Sequence, residues 1–199
     1  HMLNISFAVN SVTERPGGTA GNIAYALRLL GETPTIVATI GKDYHSYFDW
    51  LKKVGIKIDA LKVVEDEATA CAYIITDLDN NQITAFNPGA MKHSSSMDLS
   101  NLEFEDTIGI IAPGNIDDMT DFAKTFRAQN IRFIFDPGQS LPAWEPKELV
   151  KAIQGAQILI SNEYEMALIN DKTGLSKQSL LELTDVIITT KGEEGSAII

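Results

Sequence analysis

Cysteine is almost missing from this sequence. Cys71 is the only one among 199 residues, so no internal disulfide can form, and a reducing compartment is expected. No group of Cys and His residues has the spacing of a zinc site. Free cysteine is among the residue types most often buried, so we predict that Cys71 is a small buried apolar side chain.

Positive charge and long apolar runs are also scarce. The chain has 16 Lys and Arg residues against 27 Asp and Glu residues, for a net charge of -11. This argues against a nucleic-acid partner, because neutralising phosphates requires clustered cations. No apolar run approaches the roughly 18 residues that span a bilayer, and no basic segment followed by an apolar one opens the chain. We therefore expect a cytoplasmic protein without a membrane or nucleic-acid partner.

Short apolar runs rich in Val, Ile and Phe alternate with amphipathic stretches after residue 34. This alternation predicts an α/β fold with a doubly wound, mostly parallel sheet, flanked by helices and buried on both faces. The predicted strands are Thr35–Thr39, Ile108–Ala112, Ile131–Asp136, Gln157–Ser161 and Val186–Thr190. The predicted helices are Thr19–Leu30, Tyr44–Val54, Met119–Gln129, Pro146–Ile153, Glu163–Asn170 and Lys177–Leu183.

Two segments depart from this pattern. Leu3–Val9 alternates between apolar and polar residues, and Ala70–Phe86 reads as two such strands joined by a polar turn. We predict that they form a small antiparallel β lid on the α/β core. The lid would comprise residues 3–11 and 70–87, and the core would comprise residues 12–69 and 88–199.

A glycine-rich stretch, Gly17-Gly18-Thr19-Ala20-Gly21-Asn22, precedes the first predicted helix. Paired glycines let a backbone approach a ligand and direct N–H groups at it, and an Asn side chain both donates and accepts hydrogen bonds. Such a loop suits sugar hydroxyls. The same residues could instead serve only tight helix packing, since isolated glycine patterns are weak signals.

The wider pattern resembles the first signature of the ribokinase-like (PfkB) carbohydrate kinase family. Gly17-Gly18 and Asn22 are followed by a helix of small residues that ends in Leu29-Leu30-Gly31, and then by Ile40-Gly41-Lys42-Asp43. The hairpin, Asn162-Glu163-Tyr164-Glu165 and Thr190-Lys191-Gly192-Glu193-Glu194-Gly195 follow in the order of that family. The resemblance therefore extends along the whole chain.

This resemblance implies a role for each motif. Gly17, Gly18 and Asn22 would hold the hydroxyls of a sugar or ribose. Asn162 and Glu165 match the Asn-x-x-Glu motif, which organises Mg²⁺ and the phosphates of ATP through water, and Thr190 and Gly192 match the loop that approaches those phosphates. The residues by themselves allow other interpretations, because Asn162–Glu165 also suits a helix cap and Lys191–Gly195 an ordinary hairpin turn.

The chain also departs from the family pattern. The N-terminal strand with a substrate-binding Asp is missing before Leu3, and no Asp-Thr-x-Gly-Ala-Gly-Asp stretch is present. In the family that stretch supplies the general base and an anion hole, so we expect the base beyond Ile199 and no catalytic residue in this chain. His1-Met2 resembles a cloning scar, and we interpret the chain as truncated at both ends. Without base and anion hole, it should not transfer phosphate.

Three further motifs point to a nucleoside as the substrate. Asn87-Pro88-Gly89-Ala90-Met91, Ala112-Pro113-Gly114-Asn115 and Phe135-Asp136-Pro137-Gly138-Gln139 look most like the bacterial adenosine kinases of this family. Sugar-specific members usually have a Glu where Pro113-Gly114-Asn115 stands. Phe7 and Phe86 could cover a purine base, or could equally be core residues of the lid.

The resulting hypothesis is an ATP- and Mg²⁺-dependent kinase that phosphorylates the primary hydroxyl of a nucleoside or sugar, with adenosine to AMP favoured. A ribokinase- or fructokinase-type sugar kinase is one alternative, and a non-catalytic binding or interaction module is another. An NAD-binding domain is disfavoured, because the glycines lack Gly-x-Gly-x-x-Gly spacing. The edges of the lid strands also favour a homodimer formed through the lid.

Overall fold

The computed structural model describes residues 6–99 and 107–199. The chain divides into two compact units, His1–His93 and Ser94–Ile199. In the described ranges, each helix is too short or too polar to cross a bilayer.

The first unit combines two helices with two small sheets. Its helices are α1 (Thr19–Leu29) and α2 (His45–Lys53), and its strands are β1 (Ala38–Gly41), β2 (Leu61–Val64), β3 (Cys71–Thr76) and β4 (Gln82–Asn87). Strands β1 and β2 are parallel, and β3 and β4 form an antiparallel hairpin. A 3₁₀ helix, Gly89–Lys92, follows the hairpin.

Apolar residues from both helices form the core of this unit. Ala24, Ile36, Leu51 and Ile56 are buried together, and Trp50 packs against them. Each helix is followed by a glycine at positive φ, Gly31 after α1 and Gly55 after α2, which ends the helix. Ala24 of α1 and Leu51 of α2 thus belong to the same core.

The hairpin confirms one predicted part of the lid. Asp77 closes its turn by accepting hydrogen bonds from the backbone N–H groups of Asp79 and Asn81, both at 2.9 Å. All residues of β3 and β4 are exposed. The prediction that Cys71 is buried is therefore wrong, because Cys71 lies in a two-stranded sheet that is open to solvent on both faces.

The third predicted lid strand is wrong within the described residues. Residues 6–9 form no strand, and Phe7 and Val9 are more than half exposed. Residues 3–5 of that prediction lie outside the described part. Alternation alone predicted a strand here, but a strand also requires a neighbour to accept its hydrogen bonds. The assignment of residues 3–11 and 70–87 to one lid stays a prediction.

The second unit is a five-stranded sheet with helices between its strands. Its strands are β5 (Ile108–Ile111), β6 (Arg132–Phe135), β7 (Ile158–Asn162), β8 (Val186–Thr190) and β9 (Ser196–Ile198), in that spatial order. Its helices are α3 (Ile116–Ala128), α4 (Pro146–Ile153), α5 (Glu163–Thr173) and α6 (Lys177–Leu180). Strands β5 to β8 are parallel, and β9 is antiparallel to β8.

This strand order places the connecting helices on one face of the sheet. Crossovers between sequential parallel neighbours are right-handed, so α3, α4 and α5 return over the same face, where they contact one another. Phe133, Phe135 and Leu159 on that face are fully buried, whereas Ile108 and Ile110 on the other face are 50% and 37% exposed. On that other face Ile134, Ile160 and Ile188 of the inner strands are partly buried, so the predicted burial on both faces holds only in part.

Most element boundaries agree with the predicted ones to within two residues, whereas β1, α3, α5 and α6 each differ by three residues at one end. Strand β1 begins at Ala38, while Thr35 makes only an isolated bridge to Lys57. Helix α3 begins at Ile116, three residues early, because the Asn115 side chain accepts hydrogen bonds from the N–H groups of Asp117 and Asp118. Strand β2 was not predicted.

Candidate functional site

Loops that follow four parallel strands meet at one edge of the second unit's sheet. Pro113–Asn115 follow β5 and Asp136–Gly138 follow β6, whereas Asn162–Glu165 join the last residue of β7 to α5 and Thr190–Gly192 begin at the last residue of β8. Parallel strands end at the same edge, and open α/β sheets bind their ligands there. The structure thus brings together four of the motifs that the sequence presented separately.

Two carboxyl groups lie close together at this edge. The pKa of Asp136 is raised from 3.8 to about 6, chiefly by burial and also by the nearby negative charge of Glu165, while a hydrogen bond from the Gly138 N–H opposes the rise. A carboxyl group that resists ionisation beside another carboxylate favours a proton or a cation. The sequence presented Asp136 at the end of a predicted strand and in the motif Phe135–Gln139, but gave no sign that it lies near Glu165.

The side chain of Glu165 is oriented by the start of α5. Its Oε2 atom accepts a hydrogen bond from the Asn162 backbone N–H at 2.8 Å, and the Asn162 side-chain oxygen accepts one from the Glu165 N–H at 2.8 Å. This reciprocal capping box is one of the two interpretations that the sequence allowed. It also holds the Glu165 carboxylate in a defined place at the edge of the sheet.

The segment after β8 is a tight hairpin turn. The Lys191 N–H donates to the Gly195 carbonyl at 2.8 Å, and Gly192–Glu194 form a single 3₁₀ turn. Lys191 Nζ lies 3.7 Å from Glu163 Oε1, so an exposed ion pair connects this turn to the first turn of α5. The turn geometry confirms the hairpin interpretation of residues 191–195. Contacts of Thr190 and Gly192 with a nucleotide stay a prediction.

The loops after β5 and β6 pack directly against each other. A Cβ atom added to Gly138 would lie 2.5 Å from Pro113 Cγ, so only glycine fits there. Ser140 Oγ donates to the Gly114 carbonyl at 3.3 Å. Two of the three motifs that favoured a nucleoside are thus neighbours, and Asn115, the last residue of the first of these two, caps α3.

In the first unit, the glycine-rich loop leads into α1. Gly18 has φ 89° and ψ 148°, a conformation that other residues rarely adopt, and its carbonyl accepts a hydrogen bond from the Asn22 N–H at 3.0 Å. The side chain of Asn22 is exposed. Tyr47 Oη donates to the Gly17 carbonyl at 2.9 Å. Sequence reasoning missed this role of Tyr47, because no local pattern connects residues 17 and 47.

The predicted aromatic cover is open to solvent. Phe7 is 55% exposed and Phe86, which lies opposite Ala72 in the hairpin, is 53% exposed. Neither ring is therefore buried in a core of the lid, which was the alternative interpretation. Their role in binding a base stays a prediction.

The described residues hold no group of three or more His, Cys, Asp or Glu side chains that could bind a metal by themselves. Asp136 and Glu165 supply two carboxylates, and carboxylate oxygens are ligands that Mg²⁺ accepts. Mg²⁺ usually keeps several waters and binds through one or two carboxylates together with phosphates. The pair therefore fits a magnesium ion whose remaining ligands are water and a nucleotide.

Comparisons with known proteins identify the family of this chain. Residues 3–199 match the model of the pfkB family carbohydrate kinases. The nucleoside kinase of Methanocaldococcus jannaschii is 34% identical over 197 residues. That match covers 98% of this chain and 64% of the relative, so the chain spans less than two thirds of the relative's length.

Two solved structures of Burkholderia thailandensis nucleoside kinase are similar to this chain at 38% identity. The complex with inosine has a TM-score of 0.88, and the match covers 98% of this chain and 64% of that one. The complex with ADP-inosine has a TM-score of 0.87, with coverage of 100% and 62%. The fold is therefore ribokinase-like α/β, with a mostly parallel sheet and a small antiparallel sheet.

Proposed function

Because the chain belongs to the PfkB family of carbohydrate kinases, we propose that it forms the larger part of a kinase that transfers phosphate from ATP to the primary hydroxyl of a nucleoside. The carboxyl pair of Asp136 and Glu165, at the carboxyl edge of a parallel sheet, is the observation that carries this proposal. The nucleoside kinase relatives support the substrate class.

The proposed nucleotide site uses residues of the second unit. Asp136 and Glu165 would hold Mg²⁺ through water, and this ion, when bound, neutralises charge on the phosphates during transfer. Glu165 is placed for this by the capping box, and backbone N–H groups near Thr190 and Gly192 would contact the phosphates. Cation binding would shift Asp136 to its ionised form, because a nearby positive charge lowers the pKa of a carboxyl group.

The proposed nucleoside site uses residues of the first unit. Asn22 presents an amide that can both donate to and accept from ribose hydroxyls, and Gly17 and Gly18 leave the backbone before it accessible. Phe7 and Phe86 are exposed aromatic rings that could stack on a purine base. These contacts hold the substrate and do not themselves move a proton.

A nucleoside is favoured over a free sugar by the contact between the loops after β5 and β6. Pro113-Gly114-Asn115 occupies the place where sugar-specific members usually carry a Glu, and the Pro113 ring packs on Gly138. The Burkholderia thailandensis relative binds inosine, and we extend purine binding to this chain. Adenosine, with AMP as product, is the specific form of the proposal.

We also propose that the chain alone binds ligands without transferring phosphate. The Asp-Thr-x-Gly-Ala-Gly-Asp stretch that supplies the base and anion hole in the family is not present in its 199 residues. Loss of such groups costs many orders of magnitude in rate. The proposal further includes a cytoplasmic location, based on the use of ATP and on the single cysteine.

Self-association through the hairpin is part of the same proposal. Tyr73, Ile74, Ile75, Ile83 and Phe86 are exposed on a two-stranded sheet. An isolated hairpin is marginal in water and gains stability by pairing or packing with another sheet. A second copy of this chain offers an identical surface, and two-fold pairing would bury both.

The test of the proposed function has two parts. Calorimetry on this chain should show binding of adenosine or inosine and of Mg²⁺-ADP, with weaker or no binding of ribose and fructose. The complete product of the gene that encodes the chain should form ADP from ATP in the presence of adenosine. Preferential phosphorylation of ribose or fructose would instead indicate a sugar kinase, and binding without transfer by the complete product would indicate a non-catalytic module.

A further inference from the structure

A single connection in the first unit contacts two other parts of that unit. Residues 41–47 lead from β1 into α2 and contribute side-chain contacts in two directions. One set of contacts reaches the segment before the β3–β4 hairpin, and the other reaches the glycine-rich loop before α1. The residues that make these contacts have no part in the proposed binding of substrate or nucleotide.

Asp43 holds the chain immediately before β3. Its Oδ1 atom accepts hydrogen bonds from the Thr69 backbone N–H at 2.8 Å and from Thr69 Oγ1 at 2.5 Å. Thr69 Oγ1 in turn accepts a hydrogen bond from the Gly41 N–H at 3.1 Å. The Lys42 N–H adds a bond to the Glu67 carbonyl at 2.9 Å. Four hydrogen bonds thus join residues 41–43 to residues 67–69, which precede the hairpin.

The other end of the hairpin is held at the same place. The Ala90 N–H donates to the Ala68 carbonyl at 2.8 Å, and Thr39 Oγ1 donates to the Ala90 carbonyl at 2.9 Å. The backbones cross so closely that a Cβ atom on either Gly41 or Gly89 would lie 2.2 Å from atoms of Ala68. The hairpin therefore enters and leaves through one crowded crossing, from which its exposed strands extend.

Tyr47 makes the second set of contacts. Its hydroxyl donates to the Gly17 carbonyl, and a Cβ atom on Gly21 would lie 2.0 Å from Tyr47 Oη. The ring also packs against Trp50 in the core, and burial raises the pKa of Tyr47. A rigid, partly buried ring thus ties the glycine-rich loop to α2.

We infer that residues 41–47 form a positioning element, which sets the direction of the hairpin through Asp43 and Thr69 and the conformation of the glycine-rich loop through Tyr47. The inference rests on the proposed function only in treating the hairpin and the loop as substrate-binding parts. Because the hairpin and the loop are both held by the same seven-residue connection, through Asp43 and Tyr47, a change in that connection affects both. Asp43, Thr69 and Tyr47 are positioning residues and not catalytic ones.

The position of the hairpin can be followed by pulsed electron paramagnetic resonance, which measures the distance between two spin labels. Labels at Asp79→Cys, in the hairpin turn, and at Asp49→Cys, on the exposed side of α2, report a distance within the first unit when Cys71 is replaced by alanine. We expect Thr69→Val and Asp43→Ala to widen the distance distribution at least twofold. Thr69→Ser and Asp43→Asn keep the hydroxyl and the acceptor oxygen, and should leave it narrow.

The loop is tested by hydrogen exchange at the Asn22 amide, which donates to Gly18. Tyr47→Phe removes only the hydroxyl and should speed this exchange about five- to tenfold, the effect of losing one hydrogen bond. Tyr164→Phe, at an exposed tyrosine of the second unit, is the matched control and should leave the exchange rate unchanged.

The outcomes separate this inference from the proposed function. Narrow distance distributions in both Thr69→Val and Asp43→Ala would overturn the inference that these residues set the direction of the hairpin. An unchanged exchange rate at the Asn22 amide in Tyr47→Phe would overturn the inference that Tyr47 sets the conformation of the loop. If Thr69→Val does not fold, Asp43→Ala, at an exposed residue, tests the direction of the hairpin by itself. Adenosine affinity should fall about threefold to tenfold in Asp43→Ala and Tyr47→Phe. Equal affinity in all variants would contradict a role in substrate binding, whereas no adenosine binding by the unchanged chain would overturn the proposed function alone.

Discussion

Replacing Asp136 by asparagine should stabilise the protein at neutral pH. The carboxyl group of Asp136 is half-buried and lies near the negative charge of Glu165, and its pKa is raised from 3.8 to about 6. Ionisation therefore costs more in the folded chain than in the unfolded one. Asparagine has nearly the same shape, carries no charge and keeps an oxygen that can accept the hydrogen bond from the Gly138 N–H.

The size of the effect follows from linkage. A raised pKa of an acid means that stability is lost as the pH rises from the unfolded value, 3.8, to the folded value, about 6, and stays lost above it. Roughly two pKa units correspond to about 3 kcal/mol as an upper limit. Because Asp136 retains contact with water, screening reduces this to about 1 to 2 kcal/mol.

Urea unfolding of the unchanged chain and of Asp136→Asn, measured from pH 3 to pH 8, checks this value. The two proteins should have nearly equal free energies of unfolding at pH 3. As the pH rises from 4 to 6, the variant should become increasingly more stable than the unchanged chain. Asp185→Asn, at an exposed carboxylate of the same unit, is the control and should show no such rise. Glu165→Gln, which keeps the capping oxygen, should reduce the gap between the unchanged chain and Asp136→Asn.

Two results would refute this reasoning. A stability difference that does not change between pH 3 and pH 8 would show that the Asp136 carboxyl is not strained by burial and by Glu165. A variant that is less stable at pH 7 would show that the ionised carboxylate makes a favourable contact in the folded chain.

In the complete gene product, Asn22→Ala should raise the KM for the nucleoside, at a cost of about 0.5 to 1.5 kcal/mol for one lost hydrogen bond, whereas Glu165→Ala should lower kcat and alter the magnesium dependence with little change in KM. Unchanged KM values in Asn22→Ala for every nucleoside and sugar would show that the glycine-rich loop serves helix packing and not substrate binding. Sedimentation of this chain should show a concentration-dependent dimer that Ile83→Lys weakens, and a monomer at all concentrations would contradict pairing through the hairpin. Hydrogen bonds from Thr69 lower the pKa of Asp43. The stability from this contact is therefore complete above pH 3.8 and is lost as the pH falls through the lowered pKa. Below that pKa, hydrogen exchange at the Thr69 amide should speed up in the unchanged chain but not in Asp43→Asn.

Local patterns in the sequence were sufficient for most elements of the fold. Strand β8 and helix α4 have the predicted boundaries. All residues of β8 are β-branched, and Pro146 begins α4 at a position that favours proline. The hairpin was predicted from its alternation and its polar turn. The family was identified from motifs whose order along the chain is itself a sequence property.

Other features depended on contacts between residues that are distant in the chain. The placement of α3, α4 and α5 on one face of the second sheet follows from the spatial order of its strands, which periodicity within each strand does not specify. Residues 6–9 of the first predicted lid strand form no strand, and Cys71 is exposed on a hairpin whose two strands are open to solvent.

The same distinction applies to the candidate site. The sequence by itself determined which residue types follow each strand, because strand ends and turns are local features. Only the tertiary structure decided that Asp136 lies near Glu165, that Tyr47 holds Gly17 and that Asp43 holds Thr69. The physical reason is that desolvation, charge interaction and hydrogen bonding depend on distances in space, and these are set when parallel strands align and backbones cross.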